Sequence, residues 1–185
     1  MNKKIGILGG TFNPIHEGHI KLANAALLEC ALDEVWFMPT KITYYKNENE
    51  VCDINTIIKE IDDKIKNNEK FKLCKFEIDE IDKDSDFLNK YGTNFILNCL
   101  KDKYKEYDFY FILGADSLYN IETWKSYEEL LKNNKIIVAD RKYNDKTNTD
   151  LIEYIDYLKD KYKSQIILLN MKRIDISSTD LRHGK

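Results

Sequence analysis

The sequence has no C-x-x-C pair, no apolar run of membrane-spanning length and no excess of positive charge. Each absence removes a class of function. Cys30, Cys52, Cys74 and Cys99 stand far apart, so neither a zinc knuckle nor a redox dithiol is signalled, and they read as free thiols. A formal net charge of −3 argues against broad nucleic-acid binding, because phosphate backbones demand a basic face. Met1-Asn2-Lys3-Lys4 leads straight into an apolar run, without the leader of a secreted protein. The expectation is a soluble, cytoplasmic protein with no membrane or nucleic-acid partner. Oligomeric state is left open, a homo-oligomer included. What is present suits one globular domain over 1–185: the length allows a sizeable core, and 43% of residues are hydrophobic.

The chain is organised around its first glycine-rich turn. Ile5 to Leu8 reads as a short buried strand, ended by Gly9-Gly10-Thr11-Phe12-Asn13-Pro14-Ile15-His16-Glu17-Gly18-His19. Gly9 and Gly10 let the backbone turn and approach a ligand without a Cβ in the way. A helical pattern follows from about Gly18, with Ile20, Leu22, Ala23, Ala26, Leu27 and Leu28 on its apolar face. The first amides of such a helix lack partners and suit a phosphate. His16 and His19, three apart on a solvent-facing turn, share one side of that entrance. Their spacing invites a zinc reading too, but the H-E-x-x-H pattern is absent and no third ligand is evident, so no protein metal site is expected.

Further along, buried strands alternate with amphipathic helices. Glu34–Pro39 reads as a strand, Thr40–Glu50 as a loop, and Asp53–Asn68 as a helix facing inward through Ile54, Ile57, Ile58, Ile61 and Ile65. Phe71–Ile78 alternates as a strand does; an acidic loop, Asp79–Asp86, then precedes a helix over Phe87–Lys103 with Phe95, Ile96, Cys99 and Leu100 inside. Strands are also expected at Phe109–Leu113, Lys135–Arg141 and Gln165–Leu169, with a loop over Tyr143–Thr149 and a helix over Asp150–Tyr162 using Leu151, Ile152, Ile155 and Leu158. This alternation predicts a doubly wound, Rossmann-like α/β fold: a parallel sheet with helices on both faces.

Two later stretches carry chemistry. In Gly114-Ala115-Asp116-Ser117-Leu118, a carboxylate follows the end of a hydrophobic strand, where open α/β sheets bind ligands and ribose hydroxyls could be held. The competing reading is that Asp116-Ser117 caps the next helix. Trp124 offers a flat ring for stacking, against the commoner fate of packing in the core. In Ile176-Ser177-Ser178-Thr179-Asp180-Leu181-Arg182, three hydroxyls at a helix start can bind phosphate oxygens, with Arg182 one turn later; an ordinary cap with a surface arginine is the alternative.

Gly9 to His19 resembles the G-G-T-F-[DN]-P-x-H-x-G-H signature of the nucleotidylyltransferase superfamily. The form with both histidines is similar to the bacterial nicotinate mononucleotide adenylyltransferases. Gly114-Ala115-Asp116 with Trp124, and Ile176-Ser177-Ser178-Thr179-x-Leu181-Arg182, resemble two further family blocks in the expected order, so the likeness runs from Lys4 to Arg182. It implies adenylyl transfer from ATP to nicotinate mononucleotide, giving nicotinate adenine dinucleotide and pyrophosphate. His16 and His19 would contact phosphates, and Gly9, Gly10, Thr11 and Phe12 would belong to the same ATP site. Lys46 stands where the family's loop lysine does, although Tyr45 replaces the usual histidine, and Lys41 is the reserve. Arg141 would lie near the adenylate; Ser177, Ser178 and Arg182 would hold the leaving phosphates. Asp116 and Trp124 would hold the mononucleotide together with Thr93, which Gly92 separates from its aromatic neighbour Tyr91. Magnesium would arrive on ATP. Two departures stand beside these: the altered loop, and a carboxy-terminal segment shorter than the family's usual. The rivals are another acceptor, nicotinamide mononucleotide or phosphopantetheine, and a non-catalytic nucleotide-binding module.

Overall fold

In the computed structural model, which describes residues 2–40, 53–79, 85–140 and 147–170, six strands form one parallel sheet. They are β1 (Lys3–Gly10), β2 (Glu34–Pro39), β3 (Phe71–Leu73), β4 (Tyr107–Gly114), β5 (Lys135–Ala139) and β6 (Gln165–Leu168). Their order is β3-β2-β1-β4-β5-β6, the doubly wound order in which the direction of winding reverses between β1 and β4. Between and after them run α1 (Glu17–Glu29), α2 (Ile54–Ile65), α3 (Phe76–Asp79), α4 (Ser85–Lys103), α5 (Ala115–Tyr119), a 3-10 turn (Ile121–Thr123), α6 (Tyr127–Asn133) and α7 (Thr147–Tyr162).

A strand buried on both faces divides its side chains between two cores. Phe109, Phe111 and Leu113 of β4 face one cluster with Ile96, Leu97 and Leu100 of α4 and Leu151, Ile155 and Leu158 of α7. Tyr110 and Ile112 face the other, with Leu22, Ala23 and Ala26 of α1 and Ile57, Ile61 and Ile65 of α2. Gly6 of β1 lies on this second side. A Cβ there would stand 2.7 Å from Ile112 Cδ1 and 2.8 Å from Leu32 Cδ1, so a larger residue requires those two side-chain ends to shift.

Several expectations are corrected. The strand expected over Phe71–Ile78 stops at Leu73. Cys74 N still donates to Phe37 O, but the chain then coils into the single turn α3, in which Ile78 N and Asp79 N both donate to Lys75 O. Helix α4 starts at Ser85 and α7 at Thr147, both earlier than expected, so Thr147–Thr149 are helix rather than loop. Leu28, assigned to the apolar face of α1, is 78% exposed, and Ile152 of α7 is also exposed. Cys30, Cys74 and Cys99 are free thiols, and burial raises the pKa of each. Cys52, most of the loop over Thr40–Glu50, and the block 176–182 lie outside the described residues.

Candidate active site

Every strand of the sheet is parallel, so the carboxyl ends of β1 and β4 emerge together at the switch point. The glycine pair lies within β1, Gly9 opposite Met38 and Gly10 opposite Pro39, and Gly10 O accepts from Thr40 N at 3.0 Å. A Cβ at Gly9 would come no closer than 3.4 Å to Phe111, and one at Gly10 no closer than 3.5 Å to Phe12. The surrounding protein would tolerate a methyl at either position without the side-chain shift that one at Gly6 requires.

The chain turns at Phe12, whose φ of +45° is unusual for a bulky residue and is held by packing. Its ring is buried, 5.9 Å from the ring of Phe37 and edge-on to His19 at 5.0 Å between centroids. What Phe12 can offer a ligand is therefore main chain.

His16 is the N-cap of α1. Its Nδ1 accepts from Gly18 N at 3.1 Å, while His19 Nδ1 accepts from His16 N at 3.2 Å. This is the reciprocal logic of a capping box, with two imidazoles replacing the usual hydroxyl and carboxylate. A ring nitrogen that accepts a hydrogen bond carries no proton, so both histidines are held as the Nε2–H tautomer. The rings lie 3.9 Å apart, tilted by 36°. Contrary to the expected solvent-facing turn, His16 is 4% exposed and His19 7%. Burial follows from the capping role, because each Nδ1 must reach main chain inside the turn.

At the end of β4, Asp116 is exposed in the first turn of α5. It does not cap that helix: Gly114 is the N-cap, with no side-chain cap bond. Trp124 is half-buried and meets Phe111 edge-on at 6.3 Å, so the ring is packed on the core yet partly exposed. Thr93 is half-buried and directly follows Gly92, which abuts Lys125, the neighbour of Trp124. Thr93 and Trp124 thus flank one contact between chain segments. Lys46, its reserve Lys41, Arg141, Ser177, Ser178 and Arg182 lie outside the described residues. Among the described residues no group of three or more His, Cys, Asp or Glu side chains is placed to hold a metal ion, and no helix is long and apolar enough to cross a membrane.

This fold and its switch-point turn define a nucleotidyltransferase of the cytidylyltransferase-like family, whose family model matches residues 7–184, and the chain belongs to that family. Within it the chain groups with the nicotinate-nucleotide adenylyltransferases. A "Probable nicotinate-nucleotide adenylyltransferase" of Clostridium novyi is 35% identical over 98% of this chain and 86% of its own length. The protein of the same name from Lachnoclostridium phytofermentans is 34% identical over 97% and 86%. The fold matches that of Plasmodium falciparum nicotinic acid mononucleotide adenylyltransferase complexed with NaAD, with a TM-score of 0.73 over 98% of this chain and 83% of that one, at 22% identity.

Proposed function

We infer that this protein transfers the adenylyl group of ATP to nicotinate mononucleotide, giving nicotinate adenine dinucleotide and pyrophosphate. The observation that carries the reading is the pair His16 and His19, locked as neighbouring Nε2–H tautomers at the carboxyl end of β1. In the reaction a phosphate oxygen of the mononucleotide attacks the α phosphorus of ATP, and the bond from that phosphorus to the bridging oxygen of pyrophosphate breaks. No side-chain nucleophile takes part. Catalysis comes from positioning and from charge stabilisation on the triphosphate.

In this reading the Nε2–H of His19 donates to the transferring phosphate oxygen, and that of His16, buried within the turn, reaches a phosphate oxygen only when the turn shifts on binding. Their Nδ1 bonds to main chain fix the orientation before substrate arrives. Gly9 and Gly10 admit the triphosphate beside bare backbone, with main-chain groups of Thr11 and Phe12 nearby. Lys46, Ser177, Ser178 and Arg182 neutralise the leaving pyrophosphate, and Arg141 lies near the adenylate. Asp116 takes ribose hydroxyls, Trp124 stacks on the pyridine ring and Thr93 meets its carboxylate. Magnesium would arrive on the triphosphate and, when bound, would supply further charge neutralisation.

Isotopic ATP tests the reaction. Label at the α phosphate should appear in the dinucleotide and label at the γ phosphate in pyrophosphate. α-Label recovered as AMP with no dinucleotide would contradict adenylyl transfer.

A further inference from the structure

Helix α4 is two helices joined at Gly92. That residue has φ +66° and ψ −175°, a conformation open essentially to glycine alone. The junction rests on another part of the chain. A Cβ added at Gly92 would stand 2.8 Å from Lys125 Cβ and 3.1 Å from the Lys125 carbonyl oxygen. Neither atom is the loose end of a side chain, so one backbone lies directly on the other. The segment it meets is itself unusual: Ser126, the N-cap of α6, has φ +51°.

A buried polar chain backs this contact. Asn94, 8% exposed, accepts from Asn134 Nδ2 at 3.2 Å, and the same amide donates to Leu130 O at 2.9 Å. Lys101 Nζ then donates to Asn134 Oδ1 at 2.7 Å and to Asn133 O at 2.8 Å. The second half of α4 is therefore tied to the 124–126 segment at its first residues and to the α6–β5 junction along its length.

We propose that the Gly92–Lys125 backbone clasp, backed by the Asn94–Asn134 amide pair, is a positioning device that fixes Thr93 relative to Trp124 and so sets recognition of the pyridine mononucleotide. The proposal rests on the functional reading above. Gly92 and Asn94 act through Thr93 and Trp124, which meet the substrate. Misplacing such groups by about 1 Å can cost on the order of 100-fold, which is why a glycine-only contact matters here.

Gly92→Ala should raise KM for nicotinate mononucleotide by about tenfold or more while KM for ATP stays within about twofold. Lys125→Gly in the same chain removes the Cβ that the new methyl meets and should recover part of the loss. Asn94→Ala should show the same selective rise at smaller amplitude, and Asn94→Asp, which keeps the acceptor oxygen, should reverse most of it. These two serve if Gly92→Ala does not fold. A purely structural clasp would lower the melting temperature and leave both KM values of the folded enzyme unchanged, which would overturn the proposal.

Trp124 fluorescence in a Trp36→Phe background gives a readout without turnover: Gly92→Ala should red-shift its emission, and an unshifted spectrum would overturn the clasp. A wild-type enzyme inactive with every mononucleotide would defeat the functional reading alone, with the fluorescence result still deciding the clasp.

Discussion

The imidazoles of His16 and His19 lie 3.9 Å apart, and each spends its Nδ1 on a main-chain N–H at the start of α1. Structure and chemistry are thereby divided between the two nitrogens of each ring, and substitution can separate them. Asparagine places an acceptor near Nδ1 but nothing at Nε2. His19→Asn should keep the melting temperature near wild type and lower kcat by about 100- to 1,000-fold, as expected for one lost charge-stabilising donor. His16→Ala removes the cap as well and should cost about 1 kcal/mol of stability. Thermal melts beside steady-state kinetics read both; near-normal turnover in His19→Asn would remove Nε2 from the chemistry.

Gly6 predicts a packing defect far from any ligand. Gly6→Ala puts a methyl against Ile112 Cδ1 and Leu32 Cδ1, two side-chain ends that must shift, and should destabilise by about 1 kcal/mol, at roughly 2–4 °C of melting temperature per kcal/mol for a domain of this size. Adding Ile112→Val, which deletes the nearer contact atom, should recover part of it. Gly9→Ala should leave the melting temperature almost unchanged and instead weaken ATP binding.

Acid stability should depend on Glu122. Its carboxylate accepts from Tyr162 at 2.7 Å and from Tyr154, Tyr157 and Lys161 at 3.3 Å, tying the 3-10 turn before Trp124 to α7. The Tyr162 bond, ahead of Lys161, draws the Glu122 pKa below its usual value of 4.5, while burial and the same carboxylate push Tyr154 up to about 12. A carboxylate depressed on folding contributes stability that is complete above its unfolded pKa and is lost as pH falls through the folded one. Chemical denaturation at pH 7 and pH 3 should therefore show Glu122→Gln destabilised at neutral pH and the gap to wild type narrowed in acid. An equal gap at both pH values would argue that the effect is not ionic.

Chelation should stop turnover without unfolding the protein. If magnesium belongs to ATP, excess EDTA abolishes pyrophosphate release and leaves the melting temperature of the ligand-free protein unmoved. A chelator-induced fall in melting temperature would indicate a protein-held ion.

Much of this was legible in the sequence because the central strands are buried on both faces. The runs Ile5–Leu8, Glu34–Pro39 and Phe109–Leu113 are nearly continuous apolar blocks, and the observed strands contain them. The edge was harder. Phe71–Ile78 alternates as a strand should, yet only three residues pair with β2 before Phe76 turns into the core, a tertiary preference that local alternation does not carry. The histidines were legible as a motif but not as a cap, since imidazole is not among the common N-cap groups and its burial follows from hydrogen bonds formed only in the folded turn. Gly6 gave no sign at all: a glycine inside a strand is informative only once its cross-sheet neighbours are known. Gly92, which breaks the pattern beside Thr93, is the junction of two helices.

The most direct measurement is pyrophosphate release with ATP and magnesium, run in parallel with nicotinate mononucleotide, nicotinamide mononucleotide and phosphopantetheine. The expected result is strong preference for the nicotinate acceptor, with release slowed about 100- to 1,000-fold in His19→Asn. Release driven only by another acceptor, or by none of the three, would contradict it.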